Sequence, residues 1–341
     1  MLLYGGPFLL VGSIPALFYA LGPGWPVLAI VLLLFALIGA EFIASKGDGA
    51  AVESDGAYRA LFYAFVPLQL ALIAWAVRVC GGETFAEALG LLFAVGVTTG
   101  VFGMLAAHEL VHSPRTGERV LGALMLSGML YRHFRIAHVH AHHRFAATGR
   151  DSVTARLGES FYAFLPRAAA GQLMEAWRFE RARLRRGRVF ANRLAADAAI
   201  AVAILSAVLA LWGWGGAIFF LGQSAVAIVV LELFNYVAHY GLERKRDAAG
   251  RLEPMDDRHS WNCSNVLVNR LIFNMGRHSW HHRRPTESYQ RLRYAAAAPE
   301  LPAGYAGSIL LALAPPLWRR LMDGRVRALA LERPDDARLA A

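Results

Sequence analysis

The sequence predicts an all-α, polytopic membrane protein of about six transmembrane helices beneath a large cytosolic helical cap, and three observations predict it. The composition is 56% hydrophobic and 18% charged over 341 residues, with a mean hydropathy of +0.38, which lies outside the range of soluble domains. Six apolar stretches reach or approach the ~20 residues that cross a ~30 Å hydrocarbon core at ~1.5 Å per residue. Of the 35 Lys and Arg residues, all but Lys46, Arg59 and Arg78 fall in segments 108–193 and 241–341.

The first stretch, residues 7–21, is short and carries Pro15, so a tilt, a kink or a hairpin with the second stretch, residues 25–44, is expected. No Lys or Arg precedes that first apolar run, which argues against a cleavable signal and keeps it as mature structure. The third and fourth stretches, residues 60–79 and 85–107, flank a short connection. Gly96, Gly100 and Gly103 on the fourth suit close helix packing, or a narrow channel. The fifth and sixth stretches, residues 194–212 and 216–237, are joined by a turn at 213–215. By the positive-inside bias, the two basic segments and both termini face the cytoplasm, giving three transmembrane hairpins. The chain reads as one domain, 1–341: four transmembrane helices in 1–107, a cytosolic segment at 108–193, two more helices in 194–240 and a cytosolic C-terminal segment at 241–341. Residues 45–55 and the tail after 331 are linker-like.

Several function classes are excluded. Cys80 and Cys263 stand far apart, so no zinc ribbon, cysteine-held iron centre or disulfide scaffold is possible. The net charge of +10 is carried by arginine, with only Lys46 and Lys245 as lysines. Basic loops against an anionic leaflet explain it, and no nucleic-acid partner is expected.

All twelve histidines fall on the cytoplasmic side of this map. His108 and His112 continue the fourth helix four residues apart, which places both rings on one face. His138 and His142 repeat that spacing with His143 adjacent, and His278, His281 and His282 give a related arrangement. His239 ends the sixth helix at the depth where the fourth delivers His108. These nine imidazoles exceed the four to six ligands of a single ion and suit a di-metal site with open positions. A decorated surface would not pair nine rings at i, i+3 and i+4, and unpartnered buried rings would each cost ~1–3 kcal/mol. His133 and His140 are read as hydrogen-bonded bystanders, and His259 as a support or a spectator. The segment from His108 through Glu109 to His112 also fits the HExxH zinc-protease pattern, but such a site leaves the other clusters unexplained.

These residues resemble a known family, the integral-membrane alkane monooxygenases, within the histidine-rich membrane desaturases and hydroxylases. The likeness runs from the fourth apolar helix to about Arg293. His108 to His112 looks like the family's first histidine box, His138, His142 and His143 its second, and His278, His281 and His282 its last. The segment NYVAHYGL at 235–242 is similar to the motif that separates these hydroxylases from fatty-acyl desaturases. The segment at 151–165 and the four residues from His259 to Asn262 are similar to family segments. Where the family places three carboxylates, this chain has Ala137, Ala238 and Trp280. Glu109, Asp151 and Glu232 remain as acidic supports, with Asn235 and His259 beside them, and Glu232 could instead face a partner helix.

The resemblance implies two non-haem iron ions and no separate protein acid or base. It implies O2-dependent insertion of one oxygen into an unactivated C–H bond, as in terminal hydroxylation of an alkane. Desaturation of a fatty acyl chain or hydroxylation of an alkylaromatic methyl is the alternative on the same scaffold, and a metal transporter is the alternative from another class. The chain has neither a dinucleotide-binding turn after a strand nor a cysteine set for electron transfer. Electrons are therefore expected from a rubredoxin or ferredoxin with its reductase. The arginine-rich run at 178–193, containing Arg178, Arg181, Arg183, Arg185, Arg186 and Arg188, is one candidate docking surface, with attraction to anionic membrane lipids as its other reading.

Overall fold

The computed structural model describes residues 2–43, 47, 56–187, 192–246 and 249–331. The linker-like tail after 331, most of 45–55 and Arg188 of the basic run lie outside the described residues. Among those described, the architecture is all-helical, with isolated bridges at Arg246–Leu252 and Asn262–Glu300 and no β-strand.

Helices α1 (Gly6–Leu21) and α2 (Trp25–Ile43) are joined by a tight turn at Gly22, whose φ of 112° suits a residue without a Cβ. Helix α3 covers Gly56–Val79. Helix α4 runs from Phe85 to Val111 and opens on a capping box: Thr84 Oγ1 accepts from the Glu87 N–H, and Glu87 accepts from the Thr84 N–H. It is α-helical except for one π-turn at Thr99–Gly103. Every apolar stretch expected from the sequence is helical. Gly56–Gly82, Phe85–Val111 and Arg193–His239 are each long and apolar enough to cross a membrane, whereas Gly6–Leu21 and Trp25–Glu41 are shorter apolar helices.

The 47 residues of α8 (Arg193–His239) would extend ~70 Å if straight, more than twice a ~30 Å hydrocarbon core. The helix breaks at Gly213, the only residue inside it with non-helical dihedrals (φ 64°, ψ −165°). Near its start, Asp197 accepts from Arg132 and Arg135 in the cap. At its end, His239 lies 4.9 Å from His142, ring centre to ring centre. Both ends therefore meet the cap, and Gly213 makes the turn expected between stretches five and six.

The membrane helices share one apolar core that includes Phe62, Phe65, Leu91, Phe102 and Phe220. Two glycines of α4 serve packing against α8: a Cβ at Gly96 would meet Val226 at 2.6 Å, and one at Gly100 would meet the Ala227 carbonyl at 2.7 Å, whereas one at Gly103 would meet Met125 at 3.0 Å. The remaining helices are α5 (Thr116–Ser127), α6 (134–145), α7 (Phe161–Arg185), α9 (Val266–Leu271), α10 (His278–Arg283), α11 (Gly304–Ala312) and α12 (Pro315–Leu331), read as the cap. Buried Glu180 accepts from Arg183 and Arg193, which ties the end of α7 to the start of α8.

Candidate metal centre

Four helices deliver the nine histidines. α4 ends on His108 and His112, α6 carries His138, His142 and His143, α8 ends on His239, and α10 carries His278, His281 and His282. The rings form two adjoining groups. His108, His112, His138, His143 and His281 make one, and His142, His239, His278 and His282 the other. Within each group every residue offers a nitrogen within 4.8 Å of the others. The His143 and His282 ring centres, 4.6 Å apart, connect the two.

The sequence left the assignment of rings between two metals open, and the helix geometry divides them. His138 and His142 separate because α6 is a π-helix over His138–His142. A π-turn aligns i with i+5 rather than i+4. His138 therefore shares a group with His143, their Nε2 atoms 3.1 Å apart, while His142 turns to the other group. On α-helical α10 the ordinary spacing holds. His278 and His282 pair at i, i+4 in one group, and His281 reaches into the other, 3.2 Å from His143 Nε2.

The nitrogens fit a metal better than they fit one another. His282 Nε2 lies 3.1 Å from His278 Nε2 and 3.2 Å from His142 Nε2, and His143 Nε2 has two such neighbours as well. A ring nitrogen carries one proton or one lone pair, so three converging nitrogens cannot all be satisfied by hydrogen bonds. Buried His108 Nε2, His112 Nε2 and His239 Nε2 have no hydrogen-bond partner. Metal–imidazole bonds of about 2.1 Å put neighbouring donors about 3.0–3.4 Å apart, matching these separations. Burial first, and then the neighbouring imidazoles, hold His138, His143, His278, His281 and His282 well below the ordinary histidine range, and His112 down to about 3. The rings are thus neutral near pH 7, with lone pairs available to a cation.

Two rings are held from behind. Asp151 Oδ2 accepts from His142 Nδ1 at 2.9 Å and from the Thr154 hydroxyl at 2.7 Å, in a buried position. His239 Nδ1 donates to the His259 carbonyl at 3.3 Å. His259 therefore supports the centre through its backbone, and its ring bridges Glu253 and Asp256 instead. Glu109 accepts from the Tyr289 N–H. Asn235 donates to Glu232, which also accepts from Gln172 at 2.5 Å and Tyr131 at 3.2 Å. Glu232 thus faces α7 and the segment before α6. His140 stacks on Phe179 and His133 packs on Tyr131, and neither joins a histidine group.

At the three positions where carboxylates were expected, Ala137 and Ala238 are packed in apolar clusters. Trp280 donates to Glu287 and lies beneath the guanidinium groups of Arg283 and Arg284. The sequence reading missed Gln172, Tyr131 and Thr154. Gln172 left a signal, a polar residue four positions from both Ala168 and Ala176 on the buried face of α7. A backbone acceptor such as the His259 carbonyl leaves none.

An apolar cavity of about 130 Å³ borders both histidine groups. Leu34, Val101, Phe234 and Ile309 are among its walls, together with His108, His138, His278 and Asn235. Tyr305 also borders it, with its hydroxyl directed away to the Trp261 carbonyl.

Fold and site together define a helical membrane protein with a candidate di-metal centre facing an apolar cavity. Residues 84–310 match the fatty acid desaturase family. The chain is 40% identical over 318 residues to alkane 1-monooxygenase 2 of Pseudomonas aeruginosa, covering 89% of this chain and 84% of the relative. It is 39% identical over 283 residues to alkane 1-monooxygenase 1 of the same species (80% and 74%), and 39% identical over 244 residues to alkane 1-monooxygenase 2 of Alcanivorax borkumensis (70% and 64%). The chain belongs to the fatty acid desaturase family and, within it, to the alkane 1-monooxygenases.

Proposed function

We propose that this chain is a non-haem di-iron monooxygenase that transfers one oxygen of O2 to a terminal methyl group of an alkane. The observation that carries the reading is the apolar cavity bordering two adjoining groups of histidine nitrogens. His108, His112, His138, His143 and His281 would hold one iron, and His142, His239, His278 and His282 the other. When bound, the pair supplies the redox chemistry that activates O2 towards a C–H bond.

The protein's part is positioning. The cavity wall offers a hydrocarbon dispersion contacts and, with the Tyr305 hydroxyl and the Asn235 amide engaged elsewhere, little foothold for water. A linear chain lying in it presents its end to His108, His138 and His278, which favours attack on the terminal carbon. Asp151 and the His259 carbonyl keep His142 and His239 in the tautomer with Nδ1 protonated, so that Nε2 faces the ion. The imidazoles that would hold the ions are neutral and would themselves bring no compensating negative charge.

The reading places the chain in the bacterial inner membrane as three hairpins of one domain, with both termini and the histidines on the cytoplasmic side. Its electrons come from a rubredoxin or ferredoxin with its reductase. Metal analysis and Mössbauer spectroscopy of anaerobically reduced protein should find two irons per chain, with loss on His239→Ala. Cells supplied with alkanes, fatty acyl chains and alkylaromatics should form the 1-alkanol. A single zinc, or oxidation confined to acyl or aromatic substrates, would overturn the proposal.

A further inference from the structure

The hydroxylation proposed above takes two electrons and two protons for each C–H bond converted, one oxygen atom going to carbon and the other to water. Those electrons must cross the surface of the cap somewhere. A cleft of about 440 Å³ lies between the strand-like segment after α8 and the last helix, α12. Leu242, Val326 and Leu329 give it an apolar floor, and Lys245, Arg258 and Arg327 ring it with positive charge. Among the described residues, Glu243 is the one carboxylate on its rim, and Arg258 is paired with Asp256. Lys245 and Arg327 are exposed and form no ion pair among the described residues.

The surface around the cleft is sorted by charge. Among the described residues, Arg246 and Arg251 are exposed, whereas Glu253, Asp256 and Asp257 are half-buried and pair with His259, Arg258 and Arg283. The described part of this outer layer therefore shows mainly cations. Two short connections lead from the cleft to the histidines. Gly241 on its wall is two residues from His239, and Arg258 precedes His259, whose carbonyl accepts from His239 Nδ1.

We propose that this cleft is the docking site of an acidic, one-electron carrier protein that passes its electrons inward by way of His239. The inference rests on the oxygenase reading. Each encounter oxidises the carrier by one electron, so two encounters serve one turnover. Opposite charge steers such an encounter, and redox complexes form over small interfaces of less than ~1,200 Å². The arginine run on α7 has a different character. Arg178 and Arg181 there stand beside exposed Leu173, Met174 and Trp177, the composition of a helix lying against lipid.

The test uses the full-length protein in nanodiscs of zwitterionic lipid, with a reduced rubredoxin as probe. The double variant Lys245→Glu, Arg327→Glu should raise KM for rubredoxin roughly tenfold and flatten its dependence on salt. Turnover driven by dithionite should stay at the wild-type rate. Arg178→Glu with Arg181→Glu should leave the KM for rubredoxin unchanged. Equilibrium binding of rubredoxin, measured alongside, reads docking without activity, so a failure of the oxygenase reading would leave that measurement standing. Unchanged KM and binding in the cleft variant would overturn the proposal. So would loss confined to the α7 variant, or a cleft variant that loses only its affinity for anionic vesicles.

Discussion

Replacing Asp151 with alanine should weaken metal binding at the four-histidine group and spare the five-histidine group. Asp151 is buried and touches one ring of the nine by hydrogen bond, His142, while its other side-chain donor is Thr154. The substitution leaves the His142 Nδ1–H and the Thr154 hydroxyl without this acceptor and lets the ring rotate. Losing a buried hydrogen bond to a charged acceptor costs ~1.5–3 kcal/mol, and groups that orient ligating histidines are typically worth 10–100-fold in affinity. The expected loss is therefore about 10–100-fold at one group alone. Anaerobic titration with ferrous iron, followed by metal analysis and Mössbauer spectroscopy, should show two equivalents bound by the parent chain. At the same free iron concentration, the variant should bind one tightly and one weakly. Asp151→Asn, which keeps an oxygen acceptor and loses the charge, should fall between. Unchanged affinity at both groups would refute the reasoning, as would weakening confined to the five-histidine group.

Two further outcomes follow from other parts of the molecule. Glu118 on α5 meets Arg59, Arg115 and Tyr63. Burial works to raise its carboxyl, but the hydrogen bonds from Ser113, Tyr63 and the two arginines outweigh burial and hold it down to about 2, from an ordinary 4.5. A depressed carboxyl stabilises the fold above its unfolded value and loses that contribution as pH falls from 4.5 towards 2. Thermal melts in detergent should track that window, and Glu118→Gln should flatten it; an unchanged pH profile in the variant would contradict the account. At Gly100, a methyl group would meet the Ala227 carbonyl at 2.7 Å and Val230 at 2.8 Å on the wall of the cavity. Gly100→Ala should destabilise the protein by ~1–3 kcal/mol and disfavour longer alkanes in product analysis, whereas wild-type melting and product range would show the contact to be loose.

The sequence by itself determined the elements and the chemistry they carry. Apolar length marked the three helices long enough to cross a membrane, because a helix crossing hydrocarbon must be long and continuously apolar. A glycine-containing turn between stretches five and six was legible because residues 213–215 separate two apolar runs that each approach the ~20 residues of one crossing. The nine histidines stood out because imidazoles are costly to bury in such numbers without a shared partner. Only the tertiary structure decided which rings meet. The π-turn at His138–His142 changes the angular spacing of α6, and it depends on how that helix packs rather than on residue type, so the separation of His138 from His142 could not be counted from the spacing. The support of His239 by the His259 carbonyl was equally hidden, since every residue carries that oxygen and only the fold brings one of them to the ring.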